Sequence, residues 1–77
     1  MLFLIEYARS HGEIVTFETF EDDLANLAES ARLDLELDLN RRGIEHEVVL
    51  LEAENAEALR RTHRRYFENL TELVNAF

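Results

Sequence analysis

Leu33-Asp34-Leu35-Glu36-Leu37-Asp38-Leu39 decides the fold of this chain, because the same seven residues read as a strand by alternation and as a helix by composition. Strict apolar–polar alternation marks a half-buried strand. Against that reading, the segment has no β-branched residue, and its leucines and glutamate favour helix. At about 100° per residue, Leu24, Leu27, Ala28, Ala31, Leu35 and Leu39 share one stripe, while Leu33 and Leu37 land on the opposite side. A helix over residues 21–41 is therefore the expected structure. The competing strand would form a second hairpin through Asn40-Arg41-Arg42-Gly43. The flanks support the helix: Thr19 followed by Asp22 resembles a capping box, with acids in the first turn to suit the helix dipole and a start near Phe20. Gly43 after Arg41-Arg42 supplies a carboxyl-terminal stop.

Upstream, Leu2 to Tyr7 and Glu13 to Glu18 are rich in β-branched and aromatic residues and predict a hairpin through Ala8-Arg9-Ser10-His11-Gly12, with Gly12 at positive φ. Downstream, Ile44 to Glu52 contains Val48-Val49-Leu50-Leu51, a continuous apolar run typical of a strand covered on both faces. A second helix is predicted from Asn55, a favourable cap, to near the end. Its spacing gathers Ala56, Leu59, His63, Tyr66, Phe67, Leu70, Leu73, Val74 and Phe77 on one side. The order β-β-α-β-α with a right-handed crossover gives an α+β fold of two layers: a three-stranded antiparallel sheet, order 2-1-3, with both helices on one face. The other face would then expose Leu2, Leu4, Val48 and Leu50. These four residues are the expected interface of a homodimer, with Leu33 and Leu37 on the outer side of the first helix as the alternative.

Length and composition set the frame. Seventy-seven residues, 1–77, read as a single small domain, and a chain this short buries only about 60% of its unfolded surface. With no cysteine to staple it, packing or a partner subunit must supply the remaining stability. All eight basic residues are arginine, against 17 acids, for a net charge of -9. Such a surface suits a halophile, since strong like charge keeps a protein solvated, and a GC-rich genome accounts for the arginines equally well. Residues 1–40 carry ten acids and two arginines, and residues 41–77 seven acids and six arginines. Met1-Leu2-Phe3-Leu4-Ile5 stops at Glu6 without a basic flank, too short for a signal peptide or a membrane span, so a cytoplasmic location is expected.

Glu47-Val48-Val49-Leu50-Leu51-Glu52-Ala53 and Leu59-Arg60-Arg61-Thr62-His63-Arg64-Arg65-Tyr66-Phe67 resemble a group of short, uncharacterised bacterial proteins that share an Arg-x-Thr-His-x-x-Tyr-Phe helix. The likeness covers roughly the last third of the chain. It implies that Thr62, His63, Tyr66 and Phe67 act as a unit, agrees with a helix over residues 21–41, and implies no activity.

Three sets of residues are candidates for chemistry. Arg60, Arg61, Arg64 and Arg65, with His63, place a basic fan on the second helix that suits an anion, although Glu57 and Glu68 lie at ion-pairing distance along the same helix. His63 falls within the apolar stripe, where a core histidine satisfied by a hydrogen bond is the plainer reading, as no nucleophile accompanies it. His11, His46 and Glu47 come to one end of the sheet in the 2-1-3 order and are a candidate metal set. No glycine-rich phosphate loop or nucleophile elbow is present, the only glycines being Gly12 and Gly43. An acidic chain is a poor ligand for nucleic acid. No cofactor is called for. The expected function is a non-catalytic interaction or structural module that self-associates or binds another protein. The alternatives are an anion-binding regulatory domain and an enzyme whose site is assembled across a dimer.

Overall fold

A computed structural model describes residues 1–67. Its elements are β1 (Leu2–Ala8), β2 (Glu13–Phe20), a 3-10 turn (Asp22–Leu24), α1 (Ala25–Arg41), β3 (Glu47–Glu52), α2 (Ala56–Thr62) and a second 3-10 turn (Arg64–Tyr66). The alternating leucines lie inside α1, so helical propensity prevails over alternation. Ala28 and Leu39 are buried, whereas Leu33 and Leu37 are 49% and 57% exposed.

α1 ends as the sequence predicts. Gly43 takes φ +69°, its N–H reaches the Asn40 carbonyl at 3.1 Å, and the Ile44 N–H reaches back to the Leu39 carbonyl at 2.9 Å. This double closure satisfies carbonyls that the last turn leaves open, and it needs the left-handed conformation that glycine adopts without strain. The start differs from expectation. Thr19 is no cap: it lies within β2, no side chain caps the 3-10 turn, and Asp22 instead pairs with the Met1 ammonium group. The sheet edge claims Thr19 because β2 pairs with β1 as far as Phe20, two residues beyond the predicted end.

The strands form an antiparallel sheet of order β2-β1-β3. Gly12, at φ +64°, closes the hairpin with its N–H on the Ala8 carbonyl at 2.8 Å. Beyond the loop Tyr7 opposes Ile14 but Glu6 opposes Thr16, leaving Val15 as the extra residue of a bulge. Side chains alternate along a strand, so the bulge lets Ile14 and Phe17 both follow the Tyr7 and Ile5 side of the sheet while Thr16 turns to the Glu6 side. Ile14 accordingly packs against the core of Phe3, Ile5, Tyr7, Leu59 and Tyr66.

The expectation of both helices on one face is corrected. α2 and the turn after it supply Leu59 and Tyr66 to the Phe3, Ile5 and Tyr7 face. α1 packs on β1 and β3 from the other face, where Leu39 lines a small cavity with Ile44, His46 and Val48. One helix lies on each face because β1 is apolar on both: Phe3 through Ala8 are all buried, alternating between the two sides. The centre of the fold is three layers deep.

α2 is also shorter than predicted. Asn55 caps it, its side chain accepting from the Ala58 N–H at 2.8 Å, but the helix ends at Thr62 with His63 as the non-helical cap. The Thr62 hydroxyl bonds the Ala58 carbonyl at 3.0 Å, satisfying an acceptor in the final turn. His63 is half-buried, and the chain turns so that Tyr66 rather than a continuing helix meets the sheet. Leu70, Leu73, Val74 and Phe77 lie outside the described residues.

Two stability measurements follow from this packing. Gly43→Ala should cost about 1 kcal/mol in denaturant unfolding, from backbone strain alone, because an added Cβ meets nothing within 4 Å. Leu59→Ala, at a fully buried site touching both sheet and turn, should cost roughly 2–5 kcal/mol.

Candidate functional site

Two polar clusters form at the start of β3, one on each face of the sheet. Glu6 occupies the middle of the most buried strand and is only 4% exposed. A buried carboxylate is tolerated only when its oxygens are paired. β2 supplies the Thr16 hydroxyl, which donates to Oε1 at 2.7 Å, and the segment leading into β3 supplies His46, whose Nδ1 lies 2.5 Å from Oε2. One of the two groups supplies the proton of that bond, and Nε2 is the ring's second nitrogen. No buried side-chain nitrogen or oxygen lacks a partner among the described residues, so Nε2, with no protein partner, faces solvent. His46 lines both an open depression of about 860 Å³, with Arg9, Ser10, Gly43, Glu45 and Glu47, and the smaller cavity of about 250 Å³ under α1.

On the opposite face Glu47 anchors the second cluster. Its Oε2 accepts from the Tyr66 hydroxyl and from Arg65 Nη2 at 2.6 Å, and its Oε1 accepts from Arg9 Nε at 3.0 Å. Arg65 also donates to the Tyr66 oxygen at 2.6 Å, with its guanidinium 4.2 Å from the Tyr66 ring centre. The Tyr7 hydroxyl donates to the Arg65 carbonyl at 3.3 Å, and its ring meets Tyr66 edge-on at 5.2 Å. These bonds hold the Glu47 carboxyl down at about 2, the Tyr66 hydroxyl contributing most, then Arg65 and Arg9, against an opposing push from burial. Burial and the negative carboxylate together raise the Tyr66 phenol. The arrangement ties hairpin loop, β3 and the Arg64–Tyr66 turn into one unit.

The sequence-predicted candidates are dispersed by this geometry. The window Arg60, Arg61, His63, Arg64 and Arg65 does not form one helical face, because the helix ends between Arg61 and Arg64. Arg60 lies 5.4 Å from the Phe67 ring centre, Arg65 is bound to Glu47, and His63 is 6.4 Å from the Tyr66 ring. Glu68, an expected partner of these arginines, is outside the described residues. The metal set is not assembled: His46 engages Glu6 on one face, Glu47 engages Tyr66 on the other, and His11 is exposed in the hairpin loop. No group of three His, Cys, Asp or Glu among the described residues is arranged to hold a metal ion. Leu2, Leu4, Val48 and Leu50 fall on the α1 side of the sheet by strand alternation, where Leu4 is only 2% exposed and the other three are half-buried.

Sequence reasoning passed over Glu6, Thr16 and Arg9. Glu6 carried a signal, since one acid inside Leu2–Ala8, an otherwise apolar strand, demands a buried partner. Comparison with protein-family models, curated proteins and solved structures returns no match. No helix among the described residues is long and apolar enough to cross a membrane.

The lowered Glu47 value gives a pH dependence with a definite sign. Because the folded carboxyl titrates below its ordinary 4.5, the network contributes stability that is fully present above that value and lost as pH falls from 4.5 towards 2. After solvent screening at this rim position the contribution is on the order of 1–2 kcal/mol. Chemical denaturation between neutral pH and pH 3 should therefore show a steeper acid loss in the parent than in Glu47→Gln.

Proposed function

We propose that this chain is a small non-catalytic module that self-associates, using the solvent face of α1. The observation that carries the reading is the exposure of Leu33 and Leu37, four residues apart on a helix that buries Ala28 and Leu39 on its other side. Asn26, Ser30, Leu33, Leu37 and Asn40 follow the alternating four- and three-residue steps of a coiled-coil seam, with leucine at its centre and small polar residues towards its ends. A two-fold axis that sets Leu33 against Leu37 of a second copy also sets Asp34 against the second copy's Glu36, so acids flank the leucines. The leucine centre is thus self-complementary in shape, as an isologous interface requires, while its acidic flanks oppose contact at low salt.

The interface is short, so the dimer is weak. Burying the exposed half of each leucine contributes roughly 1 kcal/mol, while bringing two molecules together costs several. The net charge of -9 opposes contact further at low salt. Sedimentation equilibrium at high protein concentration should show a monomer–dimer equilibrium that shifts towards dimer as salt screens the repulsion. Leu37→Glu should abolish the dimer and leave unfolding of the monomer within about 0.5 kcal/mol of the parent. Monomer at every concentration and salt level, or a dimer indifferent to Leu37→Glu, would sink the proposal.

A further inference from the structure

β2 is an edge strand: in the order β2-β1-β3 it has one neighbour, and among the described residues no strand pairs with its outer side. Alternate residues of such a strand turn their N–H and C=O groups outward, a template for another strand. Edges in water are commonly blunted by proline, by lysine or by short length. β2 has none of these, since it runs eight residues, Glu13–Phe20, without a proline or a basic residue. Its one interruption is the bulge at Val15, after which Thr16–Phe20 pairs residue for residue with β1 from Glu6 back to Leu2. A regular open edge of five residues is left. None of the five is buried, and Phe17, 40% exposed, adds an aromatic ring whose centre lies 5.7 Å from that of Phe3 and 6.0 Å from that of Phe67.

Charge selects what fits this edge. Glu18 within the strand, Glu13 at its start, and Glu21 and Asp23 just past its end form no ion pair among the described residues. Between Arg9 and Arg32 the chain has no arginine, and it has no lysine anywhere. A second copy would bring the same uncompensated acids onto each other, whereas a cationic segment would neutralise them. We propose that the free edge of β2 binds an extended, basic segment of a partner protein by strand addition. The partner's backbone completes the hydrogen bonds of Thr16–Phe20, its basic side chains lie near Glu18 and Glu21, and an apolar side chain covers Phe17. This surface uses a different element from the Leu33 and Leu37 seam on α1.

The test titrates the full chain with a blocked octapeptide of alternating valine and lysine, read by backbone amide shifts and hydrogen exchange. Two peptides serve as controls: alternating valine and glutamate, and a fully N-methylated valine–lysine peptide that keeps the charge but cannot pair as a strand. Saturable shifts centred on residues 16–20 are expected at millimolar valine–lysine peptide, with new exchange protection at the alternate amides turned away from β1. Binding should weaken about fivefold in the double variant Glu18→Gln, Glu21→Gln, and weaken again as salt rises to about 0.3 M. Both glutamates are exposed, so the variant keeps its fold. Equal binding by either control peptide or by the double variant, shifts centred on residues 47–52 of β3, or no saturation by about 5 mM peptide would overturn the proposal. So would outward β2 amides already protected in the peptide-free chain. Protection at every protein concentration would assign the edge to residues 68–77 of the same chain, and protection that grows with concentration would assign it to a second copy.

Discussion

Burying both faces of β1 is the constraint from which the remaining architecture follows. Phe3, Ile5 and Tyr7 face α2, while Leu4 and Glu6 face α1, and every residue from Phe3 to Ala8 is buried. A strand buried this way needs a hydrogen-bonded neighbour at each edge and a covering element on each face. Four elements are therefore committed to one seven-residue segment. That commitment also accounts for how a chain of 77 residues without a disulfide obtains a core: the apolar side chains are concentrated on one strand and the other elements are spent enclosing it.

The acid on that strand gives the enclosure its specificity. Glu6 is satisfied only when Thr16 stands opposite it and His46 arrives from the α1–β3 connection. A one-residue slip of β2 would turn Thr16 to the other face and leave a buried carboxylate oxygen without its donor. The bulge at Val15 serves the same end from the hairpin side, since it lets Ile14 reach the core while Thr16 keeps its bond. Polar pairing and apolar packing thus select the same register.

Much of this organisation is legible in the amino-acid order. Gly43, Asn55 and Gly12 act as the signals they resemble, because each works through its own backbone or its nearest neighbours. Strand order followed from chirality and short connections. The side of the sheet taken by α2 was not legible in the same way, since it depends on what the far face of β1 needs once α1 is in place. Thr19 misled because a local capping pattern competed with pairing to Phe3, a distant residue. Arg65 and Tyr66 looked like parts of a helical face; their partner Glu47 lies nineteen residues before Tyr66, and no local spacing reports such a contact.

The central strand precedes in the chain nearly everything that shields it. As the polypeptide is made, Leu2–Ile5 emerges with its hairpin partner first, but β3 and Leu59 follow some fifty residues later and Tyr66 later still. A two-stranded hairpin alone is marginal in water, so the most apolar segment stays uncovered until almost all of the described chain is available. Closing β1 then waits on contacts distant in sequence, which are slow to form, and the nascent chain passes through a stage in which its most apolar surface is open. The dense acidic charge of residues 13–38 gives that stage its protection, keeping half-made chains apart until the last elements close over β1.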